Sequence, residues 1–321
     1  MDGTSLSEIV LERRPGRRKA LPRPATTQNL RVNWSYAIGV VVIHVLALLA
    51  FIPWLFSWTG VAMVFVGNYL FCSLGIGAGY HRCLTHRSFR CPKWFEHLLA
   101  ILGVCTLQDS PARWVAVHRV HHRHPDEEAD PHSPLASFFW GHMGWLFIVN
   151  SQFQNVPAYE KYVRDLLRDP FHKALVRNEM WSFVYAAHAL VILLFGFLAG
   201  WLWTGAVWGG VQFGLSMLVW GVFVRTVYSW HVTWGTNSAS HVWGYRNYET
   251  GENSRNNWLI GLTSGGDGWH NNHHADPRCA AHGFHRWWEL DTTYLTILMW
   301  ERIGLVWGVR RRGKSAIAAA E

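Results

Sequence analysis

The chain has 321 residues, half of them hydrophobic and only 16% charged, and carries a formal net charge of +8. That apolar fraction excludes a wholly disordered chain. The charge is segregated: residues 32–81 and 181–224 contain no Asp, Glu, Lys or Arg, which excludes an ordinary soluble domain for those stretches.

In chain order, residues 1–31 come first. They hold Pro15, Pro22, Pro24 and the basic run Arg13, Arg14, Arg17, Arg18 and Lys19, and are expected to be disordered. They have no apolar stretch that would make a signal peptide. A bilayer core about 30 Å thick is crossed by roughly 20 helical residues, so the first uncharged run has room for two passes. It predicts helices over 34–58 and 61–80, with Pro53, Trp54 and Trp58 near the turn between them. Residues 81–180 are polar, apart from two apolar stretches at 95–107 and 138–149. Both are too short to cross and are read as interfacial or buried helices.

The second uncharged run predicts spans over 181–203 and 206–230, turning at Gly200, Trp201, Trp203 and Gly205. Residues 231–308 form a second polar segment, and 309–321 a basic tail. Seven Lys and Arg fall in residues 1–33, 12 in 81–180 and 10 from Arg225 onward, with none at either tight turn. The positive-inside rule then puts both termini and both polar segments on the cytoplasmic side. The expected fold is an all-α integral membrane protein of four transmembrane helices in two hairpins, 32–308, with a cytoplasmic helical cap at 81–180 and 231–308. The positive charge is read as contact with anionic lipid, with no nucleic-acid partner.

Five cysteines, at positions 72, 83, 91, 105 and 279, form no C-x-x-C pair, which argues against a thiolate zinc site, an iron–sulfur cluster or a disulfide framework. The 19 histidines are the anomaly. His81 and His86 lie in HRCLTH, His118, His121 and His122 in HRVHH, and His270, His273 and His274 in HNNHH. At i, i+3 and i+4, each of the last two sets can present three imidazoles on one helix face. A single H-x-x-H-H also occurs as a solvated helix face; two copies plus HRCLTH beyond a membrane helix do not read that way. His81 and His86, five apart, would be about 140° apart on a continuous α-helix and are expected to straddle a site or serve different metals. Eight imidazoles exceed the needs of one ion, so two metals are expected, with iron, zinc or copper suiting nitrogen ligands. His44 and His188, within the spans and without neighbours, are assigned to packing or hydrogen bonding. His97, His142, His172, His282 and His285 are read as having no site role, and His124 as a decoy beside the second cluster.

Location narrows the chemistry. The clusters sit where a membrane helix meets the cytosol, so the substrate is expected to be greasy. There is no H-E-x-x-H, and nearby carboxylates are few: Asp126, Glu127, Glu128, Asp130, Asp267 and Asp276. Oxidation of alkyl C–H bonds with dioxygen fits better than hydrolysis.

At GAGYHRCLTHRSF (77–89), WVAVHRVHHRHPDEEADPHSP (114–134), NSASHVWGYRNY (237–248) and GDGWHNNHHADP (266–277), the chain resembles the membrane-bound fatty acyl desaturases, in particular their acyl-CoA Δ9 branch. The resemblance covers roughly 34–306. It implies a di-iron centre held by the eight box histidines and His241, with Asn237 attached through a water, and dioxygen as co-substrate. Asp130, His132 and Asp267 are then implied to support the ligands, and Trp114 and Trp234 to line the acyl channel. The implied reaction places a cis double bond, Δ9 by resemblance, in an acyl chain, with electrons from a separate ferredoxin, rubredoxin or cytochrome. Arg310, Arg311, Arg312 and Lys314 are candidates to steer such a donor, although phospholipid contact accounts for them as well. Many relatives carry Glu where this chain has Arg113, which bears on head-group preference. A di-iron lipid hydroxylase and, more remotely, a metal transporter are the alternatives.

Overall fold

The computed structural model describes residues 20–27 and 30–312. Among them the fold is helical, with no strands beyond isolated β-bridges such as Val32 with Ile148. Four helical stretches are long and apolar enough to cross a bilayer: Trp34–Phe51, Trp58–Thr85, Pro170–Thr204 and Val207–His241. Their boundaries depart from the sequence pattern in an informative way.

The first stretch is α1 (Trp34–Ala47), finished by a 3-10 turn at Leu48–Phe51. It stops short of residue 58 because Pro53 opens a separate short turn, Pro53–Leu55. The second stretch begins with α2 (Trp58–Gly67), whose N-terminus is capped by the Ser57 hydroxyl accepting from the Gly60 amide at 3.0 Å. It continues as a π-helical segment, Asn68–Thr85. The expected end at residue 80 is therefore corrected: this helix runs on through His81.

α3 (Lys93–Val104) packs on the π segment, with Leu99, Ala100 and Val104 buried. The approach is backbone to backbone: a Cβ on Gly75 would lie 2.3 Å from the Gly103 amide nitrogen. α4 (Pro111–Arg123) starts at the Ser110 cap with Pro at its first position, a pattern suited to a helix start. It lies against the π segment and α6 (Val156–Leu167), and α5 is the short turn Phe138–His142 between them in sequence. α7 (Pro170–Val176) is capped by Asp169 and leads to α8 (Met180–Thr204), which ends at Gly205 with φ of +67°.

α8 lies along α9 (Val207–Leu218) and leaves a largely lipid-ready surface, Trp203 being 90% exposed. α9 passes through a second π segment, Val219–Val224, into α10 (Arg225–Ser238) and a 3-10 turn at Ala239–His241. The expected end at residue 230 is thus also corrected. α1 packs on this last stretch. Short helices α11 (Trp258–Thr263), α12 (His270–Ala275) and α13 (Thr292–Arg302) complete the fold.

The terminal segments are partly tied down. Residues 1–19, where most of the expected disorder falls, and 313–321, including Lys314, lie outside the described residues. Residues 20–27 do not match that expectation: Thr27 is buried, and the Leu21 amide donates to the Leu135 carbonyl at 3.1 Å. Val309 is buried as well, and the Arg310 amide donates to the Ser88 carbonyl at 2.8 Å, so the start of the basic tail is built into the fold.

Candidate metal centre

The π segment makes the first histidine pair work. Its hydrogen bonds close five residues on, as in the His86 amide donating to the His81 carbonyl at 3.1 Å, so positions five apart come round to the same side. His81 and His86 accordingly share one group, and the expectation of 140° separation fails because it assumed α-helical winding.

Nine imidazoles form two groups whose ligating atoms lie within 4.8 Å of one another: His81, His86, His118, His122 and His273 in one, and His121, His241, His270 and His274 in the other. Each H-x-x-H-H motif is therefore divided. His118 and His122, i and i+4 on α4, face one group while His121 faces the other; His270 and His274 join His121 while His273 turns away. Sequence spacing put three rings on one face and did not show this split.

Within each group the Nε2 atoms face one another. His81 to His273 is 3.0 Å, His273 to His122 is 2.9 Å and His122 to His118 is 3.1 Å. In the second group His241 to His270 and His270 to His274 are both 3.0 Å, and His274 to His121 is 3.3 Å. The outer nitrogens fix the tautomers. His81 Nδ1 lies 3.3 Å from Asp267, His121 Nδ1 3.0 Å from Asp130 and His241 Nδ1 3.1 Å from Asp126. A carboxylate accepts the Nδ1 proton, which leaves a lone pair on the inward Nε2. Lone pairs about 3 Å apart repel unless a cation lies among them. Nitrogens about 2.1 Å from an ion and at right angles around it are about 3 Å apart. His86 Nε2, buried without a hydrogen-bond partner, fits the same reading. The donor set suits two borderline metal ions.

Burial and crowding set the charge. Burial first, then neighbouring imidazoles, hold His86, His118, His122, His270, His273 and His274 well below the usual histidine range, so all six are neutral at pH 7. Burial alone would raise the Asp267 carboxyl, but Arg82 and His81 hold it well below the ordinary carboxylate range. Asp126 is likewise held low against burial by His241 and the Asn253 amide. Asp130 accepts from His121 and, at 3.1 Å, from the His132 amide, while the His132 ring lies 4.6 Å from that of His121. Burial, with His121 next to it, lowers His132 to about 3.

The residues named from sequence as supporting the site, Asp130, His132 and Asp267, all adjoin ligand candidates. His282, read as having no role, is corrected: it is fully buried, its ring is 4.3 Å from that of His273, and its Nδ1 is 3.1 Å from Asp267, though off-axis for a hydrogen bond. Glu252, which carries no sequence signal either, reaches within 3.7 Å of both His241 and His274. Nothing local marks these two residues; they stand in loops, His282 nine residues after His273 and Glu252 eleven after His241. His44 is hydrogen-bonded, as assigned, to neighbours the spacing did not show: its Nε2 lies 3.2 Å from His231, which is 2.9 Å from His142. His188 faces Arg225 at 3.3 Å. His97 and His172 pair with Asp169 and Glu96 at 2.9 and 3.3 Å. His124 is half exposed and pairs with Glu127 at 2.9 Å, away from both groups. His285 lies 3.2 Å from the Tyr248 hydroxyl, also outside them.

An apolar cavity abuts the groups. Val40, Leu107, Trp114, Leu146, Trp230 and Trp234 line it, with His118, His132 and Asn237 at its wall. Trp114 and Trp234, named from sequence as channel residues, both line this cavity. Asn237 also borders a small cavity with His81, His118 and His270, between the two groups. Beside Trp114, Gln108 donates to Thr233 at 3.1 Å, a cross-link that spacing gave no hint of. The cavity shares Tyr36, Asp109 and Arg113 with a polar vestibule. There Arg113 donates to both the Asp109 carboxylate and the Tyr36 hydroxyl, so the departure at Arg113 is a charged threshold to the cavity.

A sequence profile of the family described as fatty acid desaturase matches residues 57–297. An sn-1 stearoyl-lipid 9-desaturase of Anabaena variabilis is 38% identical over 290 residues, 90% of this chain and 98% of that protein. An sn-2 palmitoyl-lipid 9-desaturase of a Nostoc strain is 38% identical over 88% of this chain and 92% of its own length. An acyl-CoA C20 Delta5-desaturase of Anemone leveillei is also 38% identical, over 84% of this chain and 78% of that protein.

Proposed function

Because this chain belongs to the fatty acid desaturase family, we propose that it places a cis double bond at position nine of a saturated acyl chain carried on a membrane glycerolipid. The lipid carrier, in place of the coenzyme A expected from resemblance, is supported by the names of two relatives matched over nearly their whole length. The observation that carries the reading is the apolar cavity with His118 of the first group in its wall, which shares Trp114, Thr233 and Asn237 with a small cavity bordered by His81 and His270.

His81, His86, His118, His122 and His273 would hold one iron, and His121, His241, His270 and His274 the other, with Asn237 attached through a water. The two irons supply the power to activate dioxygen and oxidise an unactivated methylene. The chain's own residues do the rest. Trp114, Trp230 and Trp234 hold the methylenes and exclude water, so distance along the cavity selects the carbon. The Gln108–Thr233 link fixes the wall beside the histidines. Asp267, Asp130 and Asp126 keep the Nδ1 protons of His81, His121 and His241 and so keep their Nε2 atoms as ligands. The threshold at Arg113 and Asp109 stays with the polar head group. Both termini and the site lie on the cytoplasmic side, in keeping with the distribution of Lys and Arg.

Expression in a host that makes no unsaturated fatty acids, followed by double-bond mapping in sn-1 and sn-2 chains, tests this reading. Nine-position alkenes in glycerolipid, with about two irons per purified chain, are expected. A hydroxylated chain would identify a lipid hydroxylase, and labelled acyl-CoA desaturated ahead of lipid would return the carrier to coenzyme A.

A further inference from the structure

A second opening reaches the first metal group, at His86, from another side. It consists of two adjoining grooves that share Arg87, Asp165 and Arg278: one is bordered by His86 itself together with Arg119, the other by Arg90, Lys93, Trp307 and Arg310. Neither shares a lining residue with the acyl cavity or its vestibule. The acyl chain and its head group therefore have their own way in.

The groove is strongly basic, and its acids are already used. Asp165 is paired with Arg87 and, at 2.8 Å, with Arg119; Glu96 is paired with Lys93 at 2.7 Å. Arg90, Arg278 and Arg310 are exposed and form no ion pair among the described residues. The backbone of Arg90 and Arg310 is held: the Arg90 amide donates to the Trp307 carbonyl, the Trp307 amide to the Arg90 carbonyl and the Arg310 amide to the Ser88 carbonyl, all at 2.8 Å. Trp307, 47% exposed, offers an aromatic face inside this rim of positive charge. A rigid surface that combines arginine with an exposed tryptophan has the chemistry of a protein dock.

We propose that this groove docks an acidic, soluble one-electron carrier protein and that His86 is the edge of the site nearest to it. The proposal rests on the desaturase reading. Converting –CH2–CH2– to –CH=CH– while O2 becomes two H2O consumes four electrons and four protons. The substrate gives two of each as its two C–H bonds break and the C=C bond forms. The other two electrons come singly from two reduced carriers, each of which is oxidised, and two protons come from water.

The probe is an acidic [2Fe–2S] ferredoxin, tested on the full chain in neutral phosphatidylcholine nanodiscs. Wild-type binding is expected to weaken with rising salt, and carbodiimide to join a ferredoxin carboxylate to Lys93. In the triple variant Arg90→Glu, Arg278→Glu, Arg310→Glu, affinity and ferredoxin-driven kcat/KM should each fall about tenfold or more, chiefly through slower association. Iron content and single-turnover alkene formation with dithionite should match wild type, and the milder Arg→Gln triple variant should fall between. Equal ferredoxin binding in wild type and variants overturns the dock. So does a groove that takes up coenzyme A or phosphatidylglycerol vesicles while ferredoxin is indifferent to the arginines. Arginine-dependent ferredoxin binding with no alkene under dithionite refutes the desaturase reading and upholds the dock.

Discussion

At the residue scale, the carboxylates behind the imidazoles decide whether the histidines act as ligands. Asp130 is fully buried and holds His121 Nδ1 at 3.0 Å. Asp130→Asn keeps the shape but can offer an amide N–H where an acceptor is needed, and is expected to lower metal affinity about 10–100-fold; iron per chain after chelator challenge reads this. Thr233→Ala breaks the link to Gln108 beside Trp114. The expected result is a mixture of double-bond positions in place of one, measured by mass spectrometry of the product, with iron content unchanged. Eight of the nine imidazoles are visible in the sequence as motifs, because i, i+3 and i+4 spacing is local. Asp126, Glu252 and His282 are not, since their roles depend on loops folding back across the chain, and no local pattern records that. His241 enters only through family resemblance.

At the element scale, the π-helical winding of residues 68–85 is the device that turns a five-residue spacing into a shared face. Inserting an alanine after Leu84 makes the spacing six, which on α-helical winding turns His86 about 120° away from His81 and off the first group. The variant is expected to insert in the membrane yet retain less than one iron for each two bound by wild type, by metal analysis. The same segment depends on close approach to α3. A Cβ on Gly103 would meet the Tyr80 ring at 2.4 Å, so Gly103→Ala is expected to destabilise the fold by about 1–3 kcal/mol, seen as earlier thermal unfolding in detergent. The four apolar stretches are legible because a chain that goes without charge for the thickness of a bilayer is built to sit in one. Their ends are not. The second and fourth run on into polar sequence, carrying His81, Asn237 and His241, since tertiary contacts sustain helix where composition no longer asks for it.

At the scale of the whole molecule, the site is a pool of imidazoles enclosed by protein. Six have folded pKa values below their ordinary 6.5, so the unfolded chain binds protons that the folded one refuses. The contribution to stability is complete above about pH 6.5 and is lost as pH falls toward the folded values. Metal-free protein is expected to show a flat melting temperature above pH 7 and a steep decline below pH 6, whereas replacing the six histidines by glutamine should reduce the slope to the part that His132 and His282, also lowered, contribute. The enclosure also has two unconnected mouths, the vestibule at Arg113 and the arginine groove at His86. Traffic through one then leaves the other free. An unreactive lipid analogue lodged in the cavity would lower the maximal rate without changing how much reductant protein is needed for half of it, so inhibition studies would sort ligands by the door they use.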